Sequence, residues 1–221
     1  MYSRRAIRNA KLISNPGCYA TSIQALVAPL LPLFPPQSAP TVFGISGYSG
    51  AGTKAAPTGH AGSGKTTVPK ISPEDLQGGV RPYSLTDHIH EREAGRHLGR
   101  LAGQDALQVA FIPAVAPWFQ GILATMSAPL SRCVTAKEIR QMYQDFYADM
   151  GPLITLSNNV PEISDVSLQH GIHLGGFQVH SSGQRAVVVG GIDNLLKGAA
   201  TQCIQNLNIA LGYEELAGIA S

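Results

Sequence analysis

Lys11-Leu12-Ile13-Ser14-Asn15-Pro16-Gly17-Cys18-Tyr19 is the stretch whose reading decides the fold. A short apolar run meets a turn tripeptide, and an apolar series at helical spacing (Ile23, Leu26, Val27, Leu30) departs from the cysteine. The reading is strand, sharp turn, helix, with Gly17 supplying the positive φ that a reversal can demand. Pro29, Pro32 and Pro35-Pro36 end the helix, because proline lacks the N–H an α-helix needs.

Working outward, Val42 to Ser46 reads as a buried strand leading into the glycine-rich Gly47 to Gly52. Residues 53–82 change to Gly, Pro, Ser, Thr and Lys without apolar period, which predicts a long loop. His90 to Leu101 has helical spacing, and Val109 to Ile112 and Ile122 to Met126 read as strands around a Pro/Gly connection. Thr135 is the expected N-cap of an amphipathic helix running to Met150. Strand-like segments around Val166, at Gly175 to Val179 and at Ala186 to Ile192 precede a last helix from about Gly198 to Leu211. Strands and helices mixed without strict alternation predict an α+β fold with a largely mixed or antiparallel sheet, in one domain spanning 1–221.

Composition removes several classes of function. The chain has 221 residues, 44% of them hydrophobic, with 16 Lys+Arg against 14 Asp+Glu, so it can bury a core and is not a disordered polyelectrolyte. A net charge of +2 carries no footprint for nucleic acid. The longest apolar run, Ile23 to Phe34, is broken by Gln24, Pro29 and Pro32 and falls short of the roughly 20 residues of a membrane span, so no membrane partner is expected. Three widely spaced cysteines make neither a disulfide framework nor a Cys-x-x-Cys site, and a reducing compartment is the default. Without a secretory signal, the N-terminus reads as the cut edge of something larger.

Three patterns could carry chemistry. Gly59-His60-Ala61-Gly62-Ser63-Gly64-Lys65-Thr66 matches a phosphate-binding loop letter for letter. That motif joins a buried strand to a helix, whereas here neither flank supports one and Pro69 follows closely, so a Gly/Ser-rich loop is the better reading. Cys18 stands at the first turn of a helix, where the dipole and free amides favour a thiolate and could stabilise an oxyanion. Cys133 and Cys203 are read as small buried apolar residues. Finally, His88 and His90 on an extended segment would face one way and serve as acid/base or metal ligands; no third ligand is apparent, which disfavours a metal. The other histidines read as surface or structural.

Four motifs together carry a resemblance: Ser14 to Thr21, Ser46 to Gly52, His88-Ile89-His90-Glu91, and Gly191 to Ala200 followed by Gln205-Asn206. In this order over nearly the whole chain they resemble N-acetyl-gamma-glutamyl-phosphate reductase of arginine biosynthesis. With His-Ile-His-Glu-Arg-Glu and Trp118-Phe119-Gln120-Gly121 the chain looks like the fungal, mitochondrial branch, made with acetylglutamate kinase as one precursor. The resemblance implies a glyceraldehyde-3-phosphate-dehydrogenase-like C-terminal domain, with a mixed sheet and helices on one face. It implies NADPH-dependent reduction of an acyl phosphate to a semialdehyde, with Cys18 forming a thioester and His88 as acid/base. It further implies Tyr83, His90, Ser49 and Gly50 around the substrate, Asn194 and Lys197 on the nicotinamide side, and a homo-oligomer, dimer or tetramer.

The sequence departs from that pattern in two places. Many bacterial members carry His and Arg where Ala114 and Gln120 stand, so an anion anchor is expected from Arg81 or Arg92. Family members also begin with a nucleotide-binding domain, which this chain lacks, so NADP(H) is expected to bind mainly elsewhere, with residues 198–221 packing on that domain. A sister acyl-phosphate reductase of the aspartate-semialdehyde type, a non-catalytic interaction domain and a phosphate-loop nucleotide binder are the rival readings.

Overall fold

The computed structural model describes residues 4–51, 57–58, 66–67 and 72–219. In chain order the elements are α1 (Arg4–Arg8), α2 (Cys18–Val27), β1 (Thr41–Gly47), β2 (Pro57–Thr58), β3 (Thr66–Thr67), α3 (Pro73–Leu76), β4 (Arg81–Pro82) and α4 (Ile89–Leu101). There follow β5 (Ala110–Ala116), β6 (Ile122–Pro129), α5 (Ala136–Tyr147), β7 (Ile154–Leu156), α6 (Ile163–Val166), β8 (Ile172–Val179), β9 (Arg185–Ile192) and α7 (Thr201–Leu211).

Alternation along β6 orients the main sheet. Ile122, Ala124, Met126 and Ala128 are fully buried, whereas Leu123, Thr125, Ser127 and Pro129 between them are not. The strand order is β4-β5-β1-β6-β9-β8-β7, with β1 parallel to β5 and β7 parallel to β8, and the remaining pairs antiparallel. This is the mixed sheet of the expected α+β fold. Helix α2 lies on the face with the buried β6 residues, where a side chain at Gly190 would meet Leu26. The single turn α6 lies on the other face, where Val166 closes on Gly191.

The prolines that stop α2 determine how α5 docks. Pro29 has no N–H to give the carbonyl of Ala25 four residues back, and α2 passes into a tight turn over Ala28–Leu33. The Tyr147 hydroxyl donates to that Ala25 carbonyl at 2.8 Å, and the Tyr143 hydroxyl donates to the carbonyl of Leu26. Helix α5 begins as expected at Thr135, whose hydroxyl accepts the Glu138 N–H while the Glu138 carboxylate accepts the Thr135 N–H.

Several expectations are corrected. Lys11 to Ser14 forms no strand: Leu12 is 93% exposed and no strand among the described residues pairs with the segment. The segment at Val166 is helical, because Glu162 and Asp165 form a reciprocal cap ahead of it. Residues 53–82 are not an unstructured loop throughout: they contribute β2 and β3, the capped turn α3 and the edge strand β4. Gly59 to Lys65 of the phosphate-loop match lie outside the described residues, but Thr66–Thr67 is a strand where that motif requires a helix. Cys133 and Cys203 are exposed, not buried.

Candidate active site

The site is built on the N-terminus of α2. Gly17 is its N-cap, with φ −69° and ψ 158°, so the position does not need glycine for a left-handed backbone. It needs glycine for space: a Cβ there would overlap the His90 imidazole. Cys18 follows as the first helical residue, and on its far side Gly198 approaches so closely that a Cβ would sit 2.7 Å from that of Cys18. The nucleophile candidate is thus held between two glycines, one facing α4 and one in a π-helical turn, Leu196–Ala200, that leads into α7.

Its electrostatics differ from the expectation of a dipole-stabilised thiolate. The backbone N–H groups of Cys18 and Tyr19 do favour the thiolate, yet burial outweighs them, and the nearby Glu93 carboxylate adds to it. The thiol is pushed up to about 11, so in this state Cys18 carries its proton at neutral pH. Glu93 also accepts the Gly17 backbone N–H at 3.1 Å, satisfying one of the amides left free at the start of α2.

Both histidines come from the start of α4 and not from an extended segment. His88 is the N-cap, and its Nδ1 accepts the His90 N–H at 3.2 Å, which puts the proton of the neutral ring on Nε2. The two rings lie 4.8 Å apart, over Tyr19, whose ring centre is 6.4 Å from His88 and 6.0 Å from His90. Tyr83 and Phe111 complete the cluster at 5.8 and 5.3 Å from His88. Burial keeps both imidazoles neutral: it lowers His88, and with the neighbouring His88 it lowers His90 to about 4. His90 Nδ1 is buried with no hydrogen-bond partner among the described residues. Burial likewise raises the phenols of Tyr19 and Tyr83, each further opposed by the Cys18 sulfur.

A second group of expected residues forms the floor of the site. The Tyr19 hydroxyl donates to the Ala114 carbonyl at 3.0 Å and interacts with Ser46, whose hydroxyl lies 2.7 Å from where a Gly50 Cβ would sit. Asn194 spans the floor: its Nδ2 donates to the Ser49 hydroxyl at 3.0 Å, and its Oδ1 accepts the Gly121 N–H at 2.7 Å. Asn194 and Lys197 are 3% and 0% exposed, and the Lys197 ammonium is turned to Gln205 at 2.5 Å, so neither presents itself to a nicotinamide ring here. Gln120 is engaged by Asp193 at 2.7 Å. Arg81 is exposed on the edge strand with its guanidinium on the Asp75 carbonyl, and Arg92 is also exposed.

Four residues of the site escaped the sequence reading. Glu93 stands three residues after His90, on the same helical face, which is the one signal that could have found it. Tyr19 and Gly198 lie inside the motifs Ser14 to Thr21 and Gly191 to Ala200, but nothing in their spacing signals a role for either. Asp193 is fully buried and accepts four hydrogen bonds, from Gln120 and from the N–H groups of Leu168, Leu195 and Leu196.

The chain is similar to several known proteins. The family model "Semialdehyde dehydrogenase, dimerisation domain" matches residues 18–194. A mitochondrial protein of Schizosaccharomyces pombe is 50% identical over 98% of the chain, and the mitochondrial arg-6 protein of Neurospora crassa 46% identical over 99%. The N-acetyl-gamma-glutamyl-phosphate reductase of Xanthomonas euvesicatoria is 43% identical over 98%. The chain spans only 22%, 23% and 62% of these three relatives' lengths. Among solved structures, aspartate semialdehyde dehydrogenase II from Vibrio cholerae has a TM-score of 0.68 at 17% identity, covering 95% of this chain and 66% of that one. That likeness speaks for the fold alone. With its sheet and the span from Cys18 to Asn194 matched, the chain belongs to the semialdehyde dehydrogenase dimerisation-domain family.

Proposed function

We propose that this chain supplies the thiol half of an N-acetyl-gamma-glutamyl-phosphate reductase, which reduces N-acetyl-glutamyl 5-phosphate to the 5-semialdehyde in arginine biosynthesis. The observation that carries the reading is Cys18 at the start of α2, with Gly17 packed against His90, whose ring lies 4.8 Å from that of His88. The relatives named as this reductase and as mitochondrial fungal proteins support the substrate and a mitochondrial location.

The neutral environment suits the chemistry. Cys18 waits as a thiol and is deprotonated only as it attacks; His88 takes the proton once its one basic nitrogen, Nδ1 in the resting ring, is released from the His90 N–H. The Sγ–acyl bond forms as the phosphate leaves with the electron pair of the broken C–O bond. The backbone N–H groups at the start of α2 that face the sulfur are also within reach of an oxyanion formed there. NADPH, held mainly by a nucleotide-binding domain of the longer enzyme, would supply the hydride that reduces the thioester. When the aldehyde departs, the C–S bond breaks and Cys18 recovers its proton. Tyr83 and His90 border the acyl pocket, Ser49 and Gly50 its floor, and the exposed Arg81 is the anchor for a substrate anion. The open sheet face opposite α2, which includes the exposed Phe43, is the surface for pairing with a second copy.

The test is steady-state reduction by the longer enzyme that contains this chain, with the N-acetyl-glutamyl and aspartyl phosphates compared. Cys18→Ser abolishes turnover and His88→Asn lowers kcat by roughly 10²- to 10⁴-fold, with N-acetyl-glutamyl phosphate preferred. Wild-type turnover in Cys18→Ser, or a preference for the aspartyl substrate, overturns the proposal.

A further inference from the structure

Lys197 is an anomaly in this layout. A lysine with no exposed surface is expensive unless its charge is compensated, and this one sits in the π-helical turn directly before Gly198. π-Turns are rare and concentrate at functional sites. Its Nζ donates to Gln205 Oε1 at 2.5 Å, Gln205 Nε2 donates to Glu215 Oε1 at 2.6 Å, and Glu215 Oε2 pairs with Arg4 Nε at 2.7 Å. One line of polar groups therefore joins the π-turn, α7, the segment after it, and α1. On the opposite side of the turn, Asn15 Nδ2 donates to the Ala199 carbonyl at 3.1 Å, and Asn206 holds Asn15 in place at 3.0 Å.

We propose that Lys197 is a positioning residue for Cys18: through Gln205, Glu215 and Arg4 its buried ammonium clamps the π-turn and holds Gly198 against the Cys18 backbone. The assignment differs from a contact with cofactor, because the ammonium points into α7 and away from the surface. Gly198 is the transmitting element. Its missing side chain lets the turn close to within contact of Cys18 Cα and Cβ, and the Gly198 N–H fastens to the Asp193 carbonyl at 2.8 Å. This contact is part of the burial that keeps the thiol protonated, and the ionisable groups facing it from the other side are Tyr19, Tyr83 and Glu93. The cost of burying the lysine also shows in its own acidity: desolvation lowers it to about 8, against the pull of Glu215. A relay that costs this much for a turn five residues long has a local purpose, which is the fit at Cys18.

The inference rests on Cys18 as the nucleophile only for its meaning in catalysis; its test does not use turnover. Alkylation of Cys18 by iodoacetamide is followed by peptide mass spectrometry from pH 7 to 10, with the exposed Cys133 and Cys203 as internal references. In Lys197→Met the turn loosens and Cys18 labels about tenfold faster at pH 8, the change that a thiol more acidic by about one pH unit gives, with the references unchanged. Glu215→Gln, altered at the half-exposed end of the relay, folds in any case and gives the same change at about a third of the size. A Cys18 profile in Glu215→Gln that overlays the wild type overturns the proposal. So does equal acceleration of all three cysteines in Lys197→Met, since that reports general unfolding. Either failure leaves the reductase reading intact, because Cys18→Ser kinetics test it separately.

Discussion

Glu93 Oε1 accepts the Gly17 backbone N–H at 3.1 Å, so a carboxylate stands at the start of the helix whose first residue is the nucleophile candidate. It satisfies an orphan amide and complements the helix dipole, but its charge opposes ionisation of Cys18. Glu93→Gln keeps an acceptor for Gly17 and removes the charge. Cys18 should then alkylate about two- to threefold faster at pH 8, which stopped-time labelling would detect; slower labelling would mean that the carboxylate helps the thiolate.

His90 makes a prediction about acid stability. Its folded pKa is lowered to about 4 from an ordinary 6.5, so between those values the unfolded chain binds more protons. Stability therefore falls as the pH drops from about 6.5 to 4. Urea melts across that window should show the fall in the wild type and a shallower one in His90→Asn; identical slopes would show that His90 titrates normally.

Gly198→Ala separates two effects of opposite sign. Alanine is the better helix former by about 0.5–1 kcal/mol. The added Cβ, however, would lie 2.7 Å from that of Cys18 and 3.2 Å from the Asp193 carbonyl oxygen. Overpacking should win, with a net loss of about 1–3 kcal/mol and a Tm lower by several degrees. A raised Tm would mean that the turn has room to spare.

Asp193 should be intolerant of its closest isostere. It is fully buried and accepts from Gln120, Leu168, Leu195 and Leu196, so Asp193→Asn turns a donor toward N–H groups. The expected loss is about 2–4 kcal/mol in denaturant melts. Gln120→Ala, which removes one of the four partners, should cost only about 1 kcal/mol.

What the sequence made legible is what periodicity and capping report. The amphipathic α5 with its Thr135 cap, the strand at Ile122 to Met126 and the prolines ending α2 all act locally, and the structure has them in place. The Lys11 to Ser14 run has the apolar content of a strand, but no strand among the described residues pairs with it and Leu12 is left exposed. Val166 was misread because the Glu162–Asp165 cap was overlooked in a short segment. At the site, Cys18, His88, His90 and Tyr83 were visible as motif residues and the fold gathers them around Tyr19. The protonated state of Cys18 was not visible, since burial is a property of the packed molecule and here outweighs the helix amides. Gly17 was identified for the wrong reason: its need is clearance for His90, which depends on a helix seventy residues away.

The central claim is that Cys18 is acylated by the substrate. Intact-mass and peptide mass spectrometry of the enzyme, mixed with N-acetyl-glutamyl phosphate in the absence of reductant, tests it directly. The account predicts one N-acetyl-glutamyl group on the peptide carrying Cys18, removed by hydroxylamine and absent in Cys18→Ser. An unmodified Cys18 peptide beside an acylated Cys133 or Cys203 would contradict it.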